Sequence, residues 1–164
     1  MKKKIPTIAL SIIFLAGLSL LLYPLVANEW NDYRQNRLLT SYSDAVAART
    51  ADGEIDFEQE LQAAYAYNEA LLPSILPDSF AVAEIRDEND EAYQAYMACL
   101  NLTGDGMMGS VEIPKINVSL PVYHTTEEDV LQHSAGHLEG SSLPVGGENT
   151  HAVISAHRGL PSAS

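Results

Sequence analysis

Cysteine is nearly missing from this 164-residue chain: Cys99 stands alone, so no disulfide framework can form within it. It lies in Tyr96-Met97-Ala98-Cys99-Leu100, an apolar helical stretch, where a small hydrophobe rather than a nucleophile is expected. Positive charge is also scarce. Nine Lys and Arg face 22 Asp and Glu; three of the nine are Lys2, Lys3 and Lys4, so from Asn28 onward 6 basic residues meet 22 acidic ones, a formal charge of −16. Such a surface repels phosphate backbones and excludes nucleic acid as a partner. It suits a soluble domain outside the cytoplasm.

Apolar length is abundant by contrast. Ile5 to Asn28 carries no charge over 24 residues, and about 20 apolar residues are enough to cross a bilayer. Basic residues before this run and acidic ones after it predict a single-pass anchor, with the N-terminus cytoplasmic and the bulk of the chain extracellular. Trp30 and Tyr33 follow where aromatic rings favour the membrane interface. The competing reading is a signal peptide cut after Ala27. Leu25 is a poor fit to the small-residue cleavage pattern, and the run is longer than a usual signal core.

Beyond the anchor, a polar helical stretch runs to about Arg49 and Asp52-Gly53 breaks it. A second helix is predicted from Asp56, a candidate N-cap with Gln59 three residues on, to about Leu72. Phe57, Leu61, Ala64, Tyr65, Asn68 and Leu72 recur at spacings of three and four and form one packing stripe. Pro73 and Pro77 end it and place Asp78 and Phe80 on a loop. The charge run Glu84 to Glu91 reads as a solvated helix start, capped by Asn89 or Asp90, ahead of Tyr93, Tyr96, Met97 and Leu100. Thr103-Gly104-Asp105-Gly106 is a turn.

From Met108 the period changes to two. Val111 and Ile113 alternate with Glu112, Pro114-Lys115 turns the chain, and Ile116, Val118 and Leu120 alternate again up to Tyr123. Thr126 to Asp129 opens a short helix ending near His133, and Ser134 to Gly147, with four glycines and one proline, reads as a long loop. Ala152 to Ala156 is an apolar run with β-branched residues, predicted to be a mostly buried strand that ends at His157, Arg158 and Gly159. A histidine at a strand end can exchange protons near neutral pH.

Gly109 to Pro114 (GSVEIP), Leu120 to His124 (LPVYH), Gly136 to Gly147 (GHLEGSSLPVGG) and the His157-Arg158-Gly159 stretch occur in this order. Together they closely resemble the opening of the catalytic domain of class C, pilus-building sortases, and Tyr23-Pro24, Asn28 and Tyr33 resemble the start of such proteins. The resemblance implies a mixed fold: 1–28 as cytoplasmic stub and transmembrane anchor, 29–106 as helical lid region, and 107–164 as the first part of a sortase-type β-barrel. It implies a cysteine transpeptidase that cuts an LPXTG-type sorting signal between Thr and Gly and joins the acyl group to a pilin lysine on the Gram-positive cell surface. Its partners would be pilin subunits and the membrane, with no cofactor. In this resemblance His157 belongs to a His/Cys/Arg catalytic group, and Asp78 and Phe80 belong to a lid over the active site. Where the family's lid has proline between them, this chain has Ser79. The family's cysteine and arginine lie well downstream of the histidine, whereas Ser164 is seven residues after His157. The chain alone is therefore expected to be inactive. Arg158 does not replace the missing arginine, because adjacent strand residues face opposite ways.

Two other readings compete. One is a membrane-tethered fragment with no enzymatic role. The other is a metal site, since His124, His133, His137, His151 and His157 fall within 34 residues and His133 and His137 have helical i,i+4 spacing; Gly136 between them breaks the helix that would align them. The anchor itself is tested by sequencing the mature N-terminus of the expressed protein. A start upstream of the apolar run is expected, and a start at Asn28 would identify a cleaved signal instead.

Overall fold

Lys4 begins an α-helix, α1, that does not end until Ala51. The computed structural model describes residues 4–71, 89–116 and 118–157. Asp78, Phe80 and Arg158 thus lie outside the described residues. The chain divides into two compact units: the N-terminal part of α1 through Arg34 falls in the first, and the second runs from Gln35 to His157.

In the first unit, α1 presents Ile8, Leu10, Ile13, Phe14, Leu20 and Leu21 outward, each more than half exposed. The few polar groups are satisfied within the helix: the Ser11 and Ser19 hydroxyls donate to the carbonyls of Thr7 and Leu15 at 3.0 and 2.8 Å. An apolar exterior with its polar groups bonded internally is what a lipid environment demands. Among the described residues this is the one helix long and apolar enough to cross a membrane. Pro24 lies inside it and removes one rung without ending it. Trp30 and Tyr33 are both exposed, with ring centroids 6.1 Å apart.

In the second unit, α1 stops where Gly53 takes φ +75°, a left-handed conformation that glycine adopts without steric cost. Glu54 and Ile55 then donate their N–H groups back to the carbonyl of Arg49. Helix α2 (Phe57–Leu71) is capped by Asp56, whose Oδ1 accepts from Glu58 N and Gln59 N. Helix α3 (Glu91–Ala98) is capped by Asp90 through Ala92 N, and Cys99 closes it. A turn follows with Gly104 and Gly106 at φ +78° and +83°, in which Asn101 Oδ1 and Asp105 Oδ1 accept from the N–H groups of Gly106 and Met107.

The sheet has the order β1-β2-β3-β4. Strand β1 (Met107–Ile113) pairs antiparallel with β2 (Val118–His124) across the turn Pro114–Ile116, with Val111 opposite Leu120 and Ile113 opposite Val118. A bulge between Met107 and Gly109 adds one residue to β1, so that the consecutive Met107 and Met108 are both buried. A short helix, α4 (Glu128–Leu131), carries the chain back so that β3 (Ala135–His137) lies parallel to β2, and β4 (Ile154–Ser155) pairs antiparallel with β3.

Three expectations are corrected. Ser134 to Gly147 is not all loop, because Ala135–His137 is a fully buried strand. Its glycine marks a close approach rather than a break: a Cβ at Gly136 would lie 2.2 Å from the carbonyl oxygen of Thr125. The run Ala152 to Ala156 is not a buried strand. Only Ile154–Ser155 are paired, Ile154 is 40% exposed, and β4 has no further neighbour among the described residues. The stripe on α2 is only partly a packing face, since Ala64 and Asn68 are buried while Phe57, Leu61 and Tyr65 are exposed.

The core lies where α2, α3, the start of β1 and the 143–145 segment meet, around Ala64, Tyr96, Cys99, Met108 and Leu143. Asn68 fixes the last of these. Its Nδ2 donates to the carbonyl of Leu143 at 3.2 Å and its Oδ1 accepts from the Leu143 N–H at 2.7 Å, so one side chain completes a buried backbone unit that has left the sheet. Asn68→Ala would leave both groups without this partner, at a cost of about 1–3 kcal/mol. Denaturant unfolding of the full chain in detergent micelles measures it. A variant as stable as the parent would show that Leu143 is held by other contacts.

Candidate functional site

His157 stands two residues past β4 and is exposed. Its position depends on what holds the strand before it. Strand β3 supplies backbone pairing, with Gly136 opposite Ser155 and His137 opposite Ile154. After His137 the chain turns, Ser141 N–H donating to Leu138 O and Gly140 taking φ +83°, so regular pairing stops there. Contacts nonetheless continue to the segment ahead of β4: Leu138 N–H donates to Val153 O at 2.9 Å and Ser142 N–H to His151 O at 3.0 Å.

Behind this segment lies a buried polar chain. The Tyr96 hydroxyl, on α3, accepts from Thr125 N–H at 3.0 Å and lies 3.0 Å from Nδ1 and 3.1 Å from the carbonyl oxygen of His137. His137 Nε2 is 2.9 Å from Ser142 O and 3.2 Å from Ser141 Oγ. The Ser142 carbonyl can only accept, and the Ser141 hydroxyl already donates to Leu138 O at 2.7 Å, so Nε2 carries the imidazole proton. In the neutral ring Nδ1 is then an acceptor, and it shares the single Tyr96 hydroxyl proton with the His137 carbonyl. Burial holds His137 below the ordinary histidine pKa, against a smaller upward pull from the Ser142 carbonyl and with His124 adding to the downward shift.

The His124 ring, also buried, bridges two backbone carbonyls: Nδ1 is 2.9 Å from Gly106 O and Nε2 is 2.9 Å from Cys99 O. Tyr96 meets it edge-on at 4.9 Å between centroids. The ring ties the end of β2 to the cap of α3 and the turn before β1. Cys99 is buried, and desolvation with the nearby Glu60 charge raises its thiol pKa, the reverse of what a nucleophilic thiolate needs.

The i,i+4 histidine pair is divided by the fold. His133 is exposed just past α4, and His137 is fully buried on β3 with both ring nitrogens engaged. Among the described residues no three His, Cys, Asp or Glu side chains are grouped to hold a metal. The sequence singles out His157, which the structure places exposed past β4, but does not reveal the contacts of Tyr96, His124, His137, Ser141 and Asn68. One signal was present: Leu120, Val122 and His124 share one face of β2, so His124 had to point the same way as buried Val122.

Residues 111–163 match the sortase domain family. Sortase C1 of Streptococcus agalactiae superposes with a TM-score of 0.59 and 37% identity over 77% of this chain and 60% of that one. The fold is sortase-like. Sortase A of Corynebacterium diphtheriae gives 0.58 at 31% identity, again over 77% of this chain and 60% of that one. Sortase C of Streptococcus pneumoniae gives 0.55 at 38% identity over 76% and 57%. By sequence, Sortase D of Bacillus subtilis is 44% identical over 50 residues, 30% of this chain and 24% of the relative. The chain thus spans about a quarter of that relative and three fifths of the S. agalactiae enzyme.

The depressed His137 pKa makes this sortase-like unit sensitive to acid. An unfolded histidine titrates near 6.5, whereas buried His137 resists the proton below that value. The unfolded state binds more protons there, so stability is full above about pH 6.5 and declines as pH falls through and below it. The melting temperature should drop between about pH 7 and pH 5, and His137→Gln should be less stable at neutral pH with a flatter slope. Parallel pH profiles for the two proteins would contradict this assignment.

Proposed function

We propose that this chain is the membrane-anchored N-terminal part of a class C sortase, and that His157 is its acid–base residue. The observation that carries the reading is the coincidence of three things at one place. The chain superposes on solved sortases, the matched family segment includes His157, and His157 follows the last paired strand with its side chain exposed. The S. pneumoniae relative is described for catalysis and pilin substrate specificity, which supports a pilin as the substrate class. The class C choice rests on the GHLEGSSLPVGG-type run and the long helical region ahead of the sheet.

The chemistry follows from acyl transfer. A thiolate attacks the threonine carbonyl of an LPXTG-type signal, the threonine–glycine C–N bond breaks, and His157 gives a proton to the departing glycine amine. A pilin lysine amine then attacks the thioester, His157 takes a proton from it, and the thiolate is released. Cys99 is not that thiolate, because it is a buried member of the core cluster with Tyr96 and Met108 and its thiol pKa is raised by burial. By resemblance, the nucleophile and the oxyanion-stabilising arginine are encoded beyond His157; the 164 residues contain no second cysteine. The anchor would place this chemistry at the outer membrane face, with Lys2 to Lys4 inside, and Asp78 and Phe80 would form the lid.

The gene carrying this sequence provides the test. Its full product should cleave a sorting-signal peptide and transfer it to an amine, and His157→Ala should lower turnover by about 10²- to 10⁴-fold. The 164 residues alone should give no turnover. Activity that survives His157→Ala, or that depends on Cys99, would remove the reading.

A further inference from the structure

We propose that Ser141 and Ser142 are positioning residues that hold the strand carrying His157 in register, with Ser141 locked in turn by the buried Tyr96–His137 pair; this rests on the reading of His157 as the acid–base residue. The argument starts from the backbone. The 138–142 segment has left strand geometry, so it cannot offer the 151–153 segment a regular ladder. Val153 and His151 alternate along the chain and face that segment. Each gets a backbone donor for its carbonyl, from Leu138 N–H and Ser142 N–H. Each gets a serine hydroxyl for its N–H: Val153 N–H donates to Ser141 Oγ at 3.2 Å, and His151 N–H donates to Ser142 Oγ at 3.1 Å. The two hydroxyls take the place of the missing strand acceptors.

Ser141 is suited to this because its rotamer is fixed. The residue is 2% exposed, its proton goes to Leu138 O, and its lone pairs face Val153 N–H and, at 3.2 Å, the Nε2–H of His137, which it shares with the Ser142 carbonyl at 2.9 Å. His137 can point Nε2–H this way because Nδ1 accepts from Tyr96, whose own oxygen accepts from Thr125 N–H. A continuous run of hydrogen bonds therefore leads from α3 through β3 to Val153, one residue ahead of β4. From there the paired residues Ile154 and Ser155 lead directly to His157.

The test is amide exchange and NMR on the full chain in detergent micelles. In Ser141→Ala the Val153 amide should exchange roughly 3- to 10-fold faster, while the His124 amide, bonded to Gly106 O, should keep its rate. The ring resonances of His157 should move and those of His133, which is also exposed but borne just past α4, should stay. An unchanged Val153 rate overturns the proposal, and so does equal acceleration at Val153 and His124, which would mean general loosening. If Ser141→Ala does not fold, Ser142→Ala, at a half-buried site, is read at the His151 amide, where an unchanged rate has the same meaning. These signals do not depend on turnover. A wrong catalytic reading would instead leave the full product indifferent to His157→Ala.

Discussion

The Tyr96 hydroxyl joins three parts of the second unit that are separate in sequence. It lies in the interior, where an unpaired polar group is costly, and it is met by Thr125 N–H from the end of β2 and by the ring and carbonyl of His137 from β3. Satisfying it requires α3, the β2 exit and β3 to be in place together. The position of α3 on the sheet is therefore set by directional bonds as well as by apolar packing. His124 and Asn68 repeat the device on either side, each offering a side chain to backbone groups that sheet pairing leaves open.

Thr125 shows what this arrangement sustains. It is a non-glycine residue at φ +65°, a left-handed conformation that costs a β-branched side chain on the order of 1–3 kcal/mol. The strain turns the chain sharply out of β2 so that α4 can return it for a parallel β3. Tyr96 holds the Thr125 N–H, and Gly136 lets β3 approach the Thr125 carbonyl with no Cβ in the way. Neither tyrosine nor glycine alone would suffice: one fixes the turn and the other makes room for it. The parallel pairing of β2 with β3, and hence the placement of β4, follows from both.

This explains which parts of the fold were legible in the sequence. The long apolar helix, the Asp56 cap, a cap at Asn89 or Asp90, the Gly53 stop and the β1–β2 hairpin depend on residues close together in the chain, and local chemistry announces them. Strand β3 was hidden because a glycine in a short apolar segment signals either a break or a close approach, and only the distant Thr125 carbonyl decides between them. The length and burial of β4 were overestimated for a related reason: apolar β-branched composition reports a strand's preference, whereas its burial depends on neighbours that sequence periodicity does not count. The serine, tyrosine and histidine network was invisible because the links that define it are not local: Tyr96 reaches Thr125 and His137 across 29 and 41 residues, and Ser141 reaches Val153 across 12.

The histidines can be sorted by what their ring nitrogens are doing. An acid–base residue must exchange its proton with substrate, so its nitrogens cannot be committed to the backbone. His124 and His137 are committed in this way: their rings lie against the carbonyls of Gly106, Cys99 and Ser142, in a buried setting that for His137 also disfavours charge. His133, His151 and His157 are exposed. Exposure alone does not make a catalyst, because a mobile imidazole loses the advantage of prior orientation. His151 and His157 flank β4, the strand paired with β3: the His151 backbone is held by Ser142 through both its N–H and its carbonyl, and His157 stands two residues past the strand's end. In the proposed reading the buried and exposed histidines are complementary: His137 commits its ring to the contacts around Ser141 and Ser142, and the segment those serines hold leads on to the exposed His157.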